Sequence, residues 1–157
     1  MFAIEQATKE GTVRAMIIRG GIFGVALAAF LSASSVAYAE TVKFKAELDG
    51  SHEVPANDSK GKGTADLTYN TASKELSWTI TFEGLTGPVT AAHFHGPAEA
   101  GKNAGVAVAI GQTLTSPASG KATLSDAQAA DLMAGRWYVN LHTAANRGGE
   151  IRGQVMK

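Results

Sequence analysis

The sequence contains no cysteine, and neither sign of charge is in excess. Its 157 residues include 14 Lys and Arg against 14 Asp and Glu. The absence of cysteine excludes a disulfide framework, a zinc–thiolate site, an iron–sulfur cluster and a cysteine nucleophile. Balanced charge argues against nucleic-acid binding, which needs a basic patch to neutralise phosphates. The length predicts a single domain, since one domain takes roughly 100–200 residues.

Long apolar runs are missing beyond residue 40, and the one before it is short. That run covers 21–33, follows three basic residues (Lys9, Arg14 and Arg19) and precedes Ala-Tyr-Ala at 37–39. A basic start, a short apolar run and an A-x-A site are typical of a secretory signal peptide. We therefore predict a signal peptide over 1–39 and an exported domain, periplasmic or extracellular, over 40–157. That domain is not expected to span a membrane. An uncleaved N-terminal anchor is the alternative.

Alternation of apolar and polar residues runs through most of the chain after residue 40. Glycine, proline and asparagine separate the alternating segments, which are 41–49, 64–69, 75–82, 89–95, 106–110, 121–124, 136–142 and 150–155. Period-two alternation indicates strands that bury one face. The pattern predicts an all-β fold, an antiparallel Greek-key sandwich or barrel of about eight strands.

One segment has the pattern of a helix. Ser125 is followed three residues later by Gln128, and the stretch continues with alanine and leucine to Gly135. A serine followed at this spacing by glutamine predicts a capping box at the helix start, and glycine favours the helix end. We therefore predict one short helix that connects two strands.

Three of the four histidines give the strongest chemical signal. His93 and His95 alternate on one predicted strand, so both rings leave it on the same face, and His142 ends another strand. If the two strands are neighbours, all three rings could bind one metal ion at ~2.0–2.1 Å. Three imidazoles suit copper or zinc and leave an open coordination position. The predicted ligands are His93, His95 and His142, with copper preferred over zinc.

Residue parity predicts which way these rings point. Phe94 is expected to face the core, so His93 and His95 face outward. On the other strand, Trp137, Val139 and Leu141 are the predicted core residues, and His142 shares the outer face with Tyr138 and Asn140. These two polar residues could orient the ligands or lie on the sheet surface. The alternative to a metal site is solvated histidines, or rings bonded to the backbone of turns such as 95–97.

Other polar residues give weaker signals. His52 could supply a fourth ligand from a loop. Glu150 and Arg152 share a strand face, where we favour a cross-strand ion pair or a tie to a neighbouring loop over a catalytic pair. The sequence contains no G-x-S-x-G nucleophile motif, no phosphate loop and no recognisable general base. Catalysis at a copper or zinc site is therefore the weakest of the functional interpretations.

Three stretches together resemble the CHRD (chordin-type) domain. They are AELDGSHEVPA at 46–56, LSWTITFEGLTGPVTAAHFHGPA at 76–98 and GKATLSDAQAADLMAGRWYVNLHTAANRGGEIRGQV at 120–155. The resemblance implies an extracytoplasmic β domain of the kind found in exported bacterial proteins and in chordin, without a defined chemistry. His52 departs from the family pattern, since members usually carry another polar residue there.

The histidine arrangement is also similar to that of copper–zinc superoxide dismutases. Those proteins add a bridging histidine, an aspartate ligand and a disulfide, and this chain has no cysteine and too few histidines for two metals. The similarity therefore extends to one copper ion at most.

Two functional hypotheses remain. The first is an exported module that binds one copper or zinc ion through its histidines. The second is a metal-free domain that binds an extracytoplasmic protein or polymer and has no catalytic activity. No nucleic-acid partner is expected under either hypothesis.

Overall fold

The computed structural model describes residues 40–157, and the predicted signal peptide lies outside this range. Eight antiparallel strands form one sheet that curls into a nearly closed barrel, which confirms the all-β prediction. The strands are β1 (Thr41–Asp49), β2 (Lys62–Asn70), β3 (Glu75–Glu83), β4 (Val89–His95), β5 (Val106–Gly111), β6 (Ala118–Thr123), β7 (Tyr138–Thr143) and β8 (Ile151–Gln154).

The strand order is that of a Greek key. Along the sheet the strands follow the order β5-β4-β7-β8-β1-β2-β3-β6. β3 and β4 are consecutive in sequence but distant in the sheet, and so are β6 and β7. Such returning connections characterise Greek-key folds. The order brings β4 beside β7, the neighbour relation on which the predicted histidine cluster depends.

The barrel interior is filled by the apolar faces of the strands. Trp78 on β3 packs edge-to-face on Phe94 of β4 with ring centroids 5.1 Å apart, although these strands lie near opposite edges of the sheet. Trp137 has no exposed surface and lies 5.9 Å from Phe94 between ring centroids. Full burial of a large apolar side chain contributes roughly 1.5–3 kcal/mol, so this aromatic cluster stabilises the closed form of the sheet.

The one α-helix found within residues 40–157 connects β6 to β7 and attaches the edge strand β5. α1 (Asp126–Met133) begins with a capping box. The Ser125 hydroxyl accepts a hydrogen bond from the backbone N–H of Gln128, and Gln128 Oε1 accepts one from the backbone N–H of Ser125. The same glutamine side chain donates to the carbonyl of Ala107 in β5 at 2.8 Å. The predicted helix and its cap are confirmed. Within residues 40–157, no helix combines the length and hydropathy needed to cross a bilayer.

Two loops cover the outer face of β7 and β8. The loop after β1 is attached by Asn57, which donates to the carbonyl of Glu150 at 3.1 Å. The loop after β4 is tied to it by Asn103, which donates to the carbonyl of Val54 at 3.1 Å. The outer face of β7 and β8 is therefore also buried. The two loops enclose polar side chains there, in contrast to the apolar side chains inside the barrel.

The prediction that Tyr138 and Asn140 could be polar residues on the sheet surface is wrong. The two side chains leave the outer face of β7, as expected, but they are only 2% and 5% exposed. The parity of a strand residue indicates which face it occupies and carries no information about which loop covers that face.

Candidate metal centre

The pairing of β4 with β7 brings the three histidines together. His93 lies opposite Asn140, while Ala91 lies opposite His142, so the two histidines are diagonal neighbours on the outer face. Phe94 points the other way and is fully buried. One nitrogen from each of the three rings lies within 4.8 Å of the others. The sequence-based prediction that the rings of His93, His95 and His142 converge is confirmed.

The spacing of these nitrogens fits one ion after a small adjustment. The closest pair, His93 Nδ1 and His142 Nε2, is 3.3 Å apart. Two bonds of ~2.0–2.1 Å meeting at a near-tetrahedral angle give this separation. The outer limit of 4.8 Å exceeds this near-tetrahedral separation by about 1.5 Å, so a ring at that limit must move by about this distance to share the ion.

Backbone carbonyls fix the tautomers of two rings. His95 Nδ1 lies 3.1 Å from the carbonyl oxygen of Ala104, and His142 Nδ1 lies 3.0 Å from that of Arg147. A carbonyl only accepts, so each Nδ1 donates its hydrogen and each Nε2 carries a lone pair. Bonding to turn backbone, the predicted alternative to metal binding, is thus also correct for these rings. It does not compete with coordination, because carbonyl-bound imidazoles are typical metal ligands.

His95 offers a further sign that the site suits a metal ion. Its Nε2 is buried and has no hydrogen-bond partner among the described residues. A buried acceptor without a partner carries a desolvation penalty of about 1–3 kcal/mol. A metal ion shared with the other two rings would remove that penalty, so the donor set fits a bound copper or zinc ion.

The surroundings keep two of the rings neutral. Burial lowers the pKa of His93, and the charge that His142 would carry when protonated lowers it further. Burial likewise lowers the pKa of His95, and hydrogen bonding to Ala104 opposes this effect in part. Neutral imidazole is the form that binds metals. The site therefore keeps its lone pairs available at neutral pH.

A stack of three side chains holds His95 in place. The Tyr138 ring lies parallel to the His95 ring, with an interplanar angle of 4° and centroids 4.9 Å apart. The guanidinium of Arg152 lies 3.5 Å from the centroid of the Tyr138 ring. Arg152 is itself fixed, since it donates to Asn103 Oδ1 at 2.9 Å and to the Lys102 carbonyl at 2.6 Å. Tyr138 therefore orients a ligand candidate, as one reading of the sequence predicted.

Asn140 contacts a carboxyl group instead of a histidine. Its Nδ2 donates to Oε2 of Glu53 at 3.4 Å, and Glu53 is only 7% exposed. Burial raises the pKa of Glu53 to about 7, although the charge of Arg152 works against this. Sequence reasoning missed this pair, because Glu53 reaches β7 from a loop whose path depends on tertiary contacts.

Glu150 and Arg152 serve as ties to loops, as favoured by the sequence analysis. Glu150 is fully buried and accepts from Ser59 Oγ, from the Thr86 amide and hydroxyl, and from Thr143 Oγ1. Burial alone would raise its pKa, but these hydrogen bonds dominate and hold the pKa of Glu150 at about 2. Its oxygens are occupied, so Glu150 is not available as a catalytic base.

His52 is not one of the residues whose nitrogens converge. It lies in the short 3-10 turn Gly50–His52, where its Nδ1 is 3.3 Å from Asp49 Oδ1. The fourth ligand predicted as a possibility is therefore not part of the cluster.

A family comparison agrees with this architecture. The sequence profile of the CHRD domain matches residues 44–155. The chain belongs to the CHRD domain family. It matches no curated protein and no solved structure at a significant level.

Proposed function

We propose that this CHRD domain is an exported module that binds one copper ion, or zinc, through His93, His95 and His142. The observation that carries the proposal is the convergence of three imidazole nitrogens within 4.8 Å, with the rings of His95 and His142 set by carbonyls so that each Nε2 carries a lone pair. Copper is preferred because imidazole sites bind Cu²⁺ more tightly than other divalent first-row metals. Its work would be capture, delivery or storage of the ion outside the cytoplasm.

The test is a Cu(II) titration followed by electron paramagnetic resonance. Hyperfine splitting from three imidazole nitrogens and one ion per chain are the expected results. The His93→Ala/His95→Ala double variant and the His142→Ala variant should each lose at least tenfold in affinity, since each removes inner ligands. His52→Ala is the matched control, because it removes the one histidine outside the cluster. Equal binding by the double variant and the unaltered protein would refute the assignment.

Competition from protons provides a second test of the same site. Ligand imidazoles must be neutral, so copper affinity should decline as the pH falls below about 6.5, the ordinary histidine pKa, and the lowered pKa values of His93 and His95 place part of this decline at more acid pH. A copper affinity that is flat between pH 7.5 and 5 would indicate ligands other than histidine.

Export is part of the proposal and has its own measurement. The predicted signal peptide ends in Ala-Tyr-Ala at 37–39. N-terminal sequencing of the protein from its host should give a mature chain that begins at Glu40, in the periplasm or the medium. A cytoplasmic, full-length product would contradict export without affecting the metal site.

One structural feature favours the metal-free alternative. A cavity of about 530 Å³ lies between the loops after β1 and β4, lined in part by Val54, Met156 and buried Arg152. Val54 and Met156 are exposed apolar side chains at 37% and 55%. A protein or polymer could bind there without metal. Binding of a protein or polymer should then persist in a variant that lacks all three histidines. Its loss in Val54→Asp would support this function.

A further inference from the structure

The histidine cluster opens on one side into a small cleft. The cleft has a volume of about 370 Å³ and is lined by Thr90, Ala91, His93, His142, Ala144 and Arg147. His95 does not line it and lies on the covered side, where the loop after β4 and the Tyr138 ring enclose it. An ion held by the three rings would therefore turn its open coordination position toward this cleft.

The cleft has a defined charge. Arg147 is the one charged side chain among its lining residues, and no carboxylate lines it. The remaining lining consists of two alanine side chains, the two imidazole rings and the hydroxyl of Thr90, which donates to the His142 carbonyl at 3.2 Å. A guanidinium in such a position attracts anions and presents a fork of donors to them.

Arg147 is also coupled to the site through its backbone. Its carbonyl accepts from His142 Nδ1 at 3.0 Å, which places the residue directly behind a ligand ring. The side chain can be removed while this backbone hydrogen bond remains. The role of the guanidinium can therefore be tested separately from the integrity of the metal site.

We propose that the cleft is the route to the open coordination position and that Arg147 makes this position selective for small anions. This inference rests on the proposed function, since the anion would bind to the ion held by His93, His95 and His142. The ligand class is a monoanion that can bind the ion directly, because Arg147 gives the cleft a single positive charge and no carboxylate offsets it. Neutral ligands would gain no charge attraction from Arg147.

The experiment uses azide as the probe on the Cu(II)-loaded full chain. Azide should produce a charge-transfer absorption band and shift the copper resonance signal as it binds. Arg147→Ala should weaken azide binding ~3- to 10-fold, a modest factor because an exposed charge is partly screened by solvent. Arg147→Lys should retain most of the affinity, and higher salt should reduce the difference between the unaltered protein and Arg147→Ala.

Two controls isolate the effect of the Arg147 charge. Lys60→Ala removes an exposed positive charge outside the cleft and should leave azide binding unchanged. Binding of imidazole, a neutral probe, should be the same in Arg147→Ala as in the unaltered protein. The contrary result is equal azide binding by copper-loaded Arg147→Ala and by the copper-loaded unaltered protein, with copper held by three nitrogens in both. That result would overturn this inference and leave the proposed function intact. Failure to bind copper at the histidines would overturn both.

Discussion

At the scale of single residues, the pair formed by Glu53 and Asn140 is the least expected feature. Two buried acceptors, Glu53 Oε1 and Asn140 Oδ1, have no hydrogen-bond partner within residues 40–157. Both approach the same side of Gly149. One proton on Glu53 would satisfy both, because a carboxylic acid and a carboxamide can exchange two hydrogen bonds. The raised pKa of Glu53, about 7, agrees with this arrangement.

Replacement of this carboxyl by an amide should stabilise the protein at high pH. In Glu53→Gln the amide mimics the protonated acid and cannot ionise. A carboxyl whose pKa is raised on folding stabilises the fold fully below its unfolded value of 4.5, and this stabilisation is lost as the pH rises through 7. We expect the variant to be about 2 kcal/mol more stable at pH 8.5 than the unaltered protein, with no gain at pH 4. Urea denaturation at both pH values measures this.

The exposed Glu99→Gln substitution is the control for the change of charge alone. A Glu53→Gln gain that is equal at pH 4 and pH 8.5 would contradict the protonated pair, since the effect would then be unrelated to ionisation.

Gly149 is required beneath this pair. Its φ is +138°, a conformation that residues with a side chain rarely adopt. A Cβ there would lie 2.5 Å from the Asn140 carboxamide and from Glu53 Oε1. Gly149→Ala should therefore lose about 2–3 kcal/mol of unfolding free energy. The adjacent Gly148→Ala, whose Cβ would meet open space, should lose less than about 1 kcal/mol in the same chemical denaturation series.

At the scale of elements, the helix start tests how much a local motif contributes. Ser125→Ala removes the side-chain acceptor of the capping box and should reduce stability by about 1 kcal/mol. Ser125→Asp keeps an acceptor at the cap and should restore most of the loss. Thermal or urea unfolding measures both. Equal losses in the two variants would show that the hydroxyl acts through packing and not as a cap.

Strands and caps were predictable because their signals are local. The alternation over 89–95 and 136–142 correctly placed His93, His95 and His142 on outer faces, and the Ser125/Gln128 spacing located α1. The covering of that outer face was not predictable. The side chains of Asn57 and Asn103 attach their loops through hydrogen bonds to carbonyls that are distant in sequence. Such contacts produce no repeating pattern of residues from which they could be predicted. The Glu53–Asn140 contact joins residues 87 positions apart, and it could not be predicted for the same reason.

At the scale of the whole molecule, two groups of ionisable residues give opposite pH dependences. Folding lowers the pKa values of His93 and His95, so their imidazoles are protonated at a higher pH in the unfolded chain than in the folded protein. The histidines therefore destabilise the metal-free fold as the pH falls below 6.5. Glu53 acts in the opposite direction between pH 7 and 4.5. The pKa values of about 2 for Asp49 and Glu150 add a loss of stability only in stronger acid, below about pH 4.

These opposing effects can be separated by mutation. In a Glu53→Gln background, the stability of the metal-free protein should fall steadily from pH 7.5 to pH 5. Addition of His93→Ala and His95→Ala should remove most of that slope, because the groups that take up protons are gone. The midpoint of urea unfolding at each pH is the measurement. An unchanged slope would assign the effect to other residues.

The position of His142 in the chain has a consequence for the order of events in a nascent protein. It follows His93 by 49 residues, and β5, β6 and α1 are synthesised between the two. Until β7 has docked beside β4, only two of the three rings lie on one strand, so the three-nitrogen cluster forms only when the sheet is complete. If the proposed ion binds to all three rings, it therefore binds to the folded protein and does not direct folding.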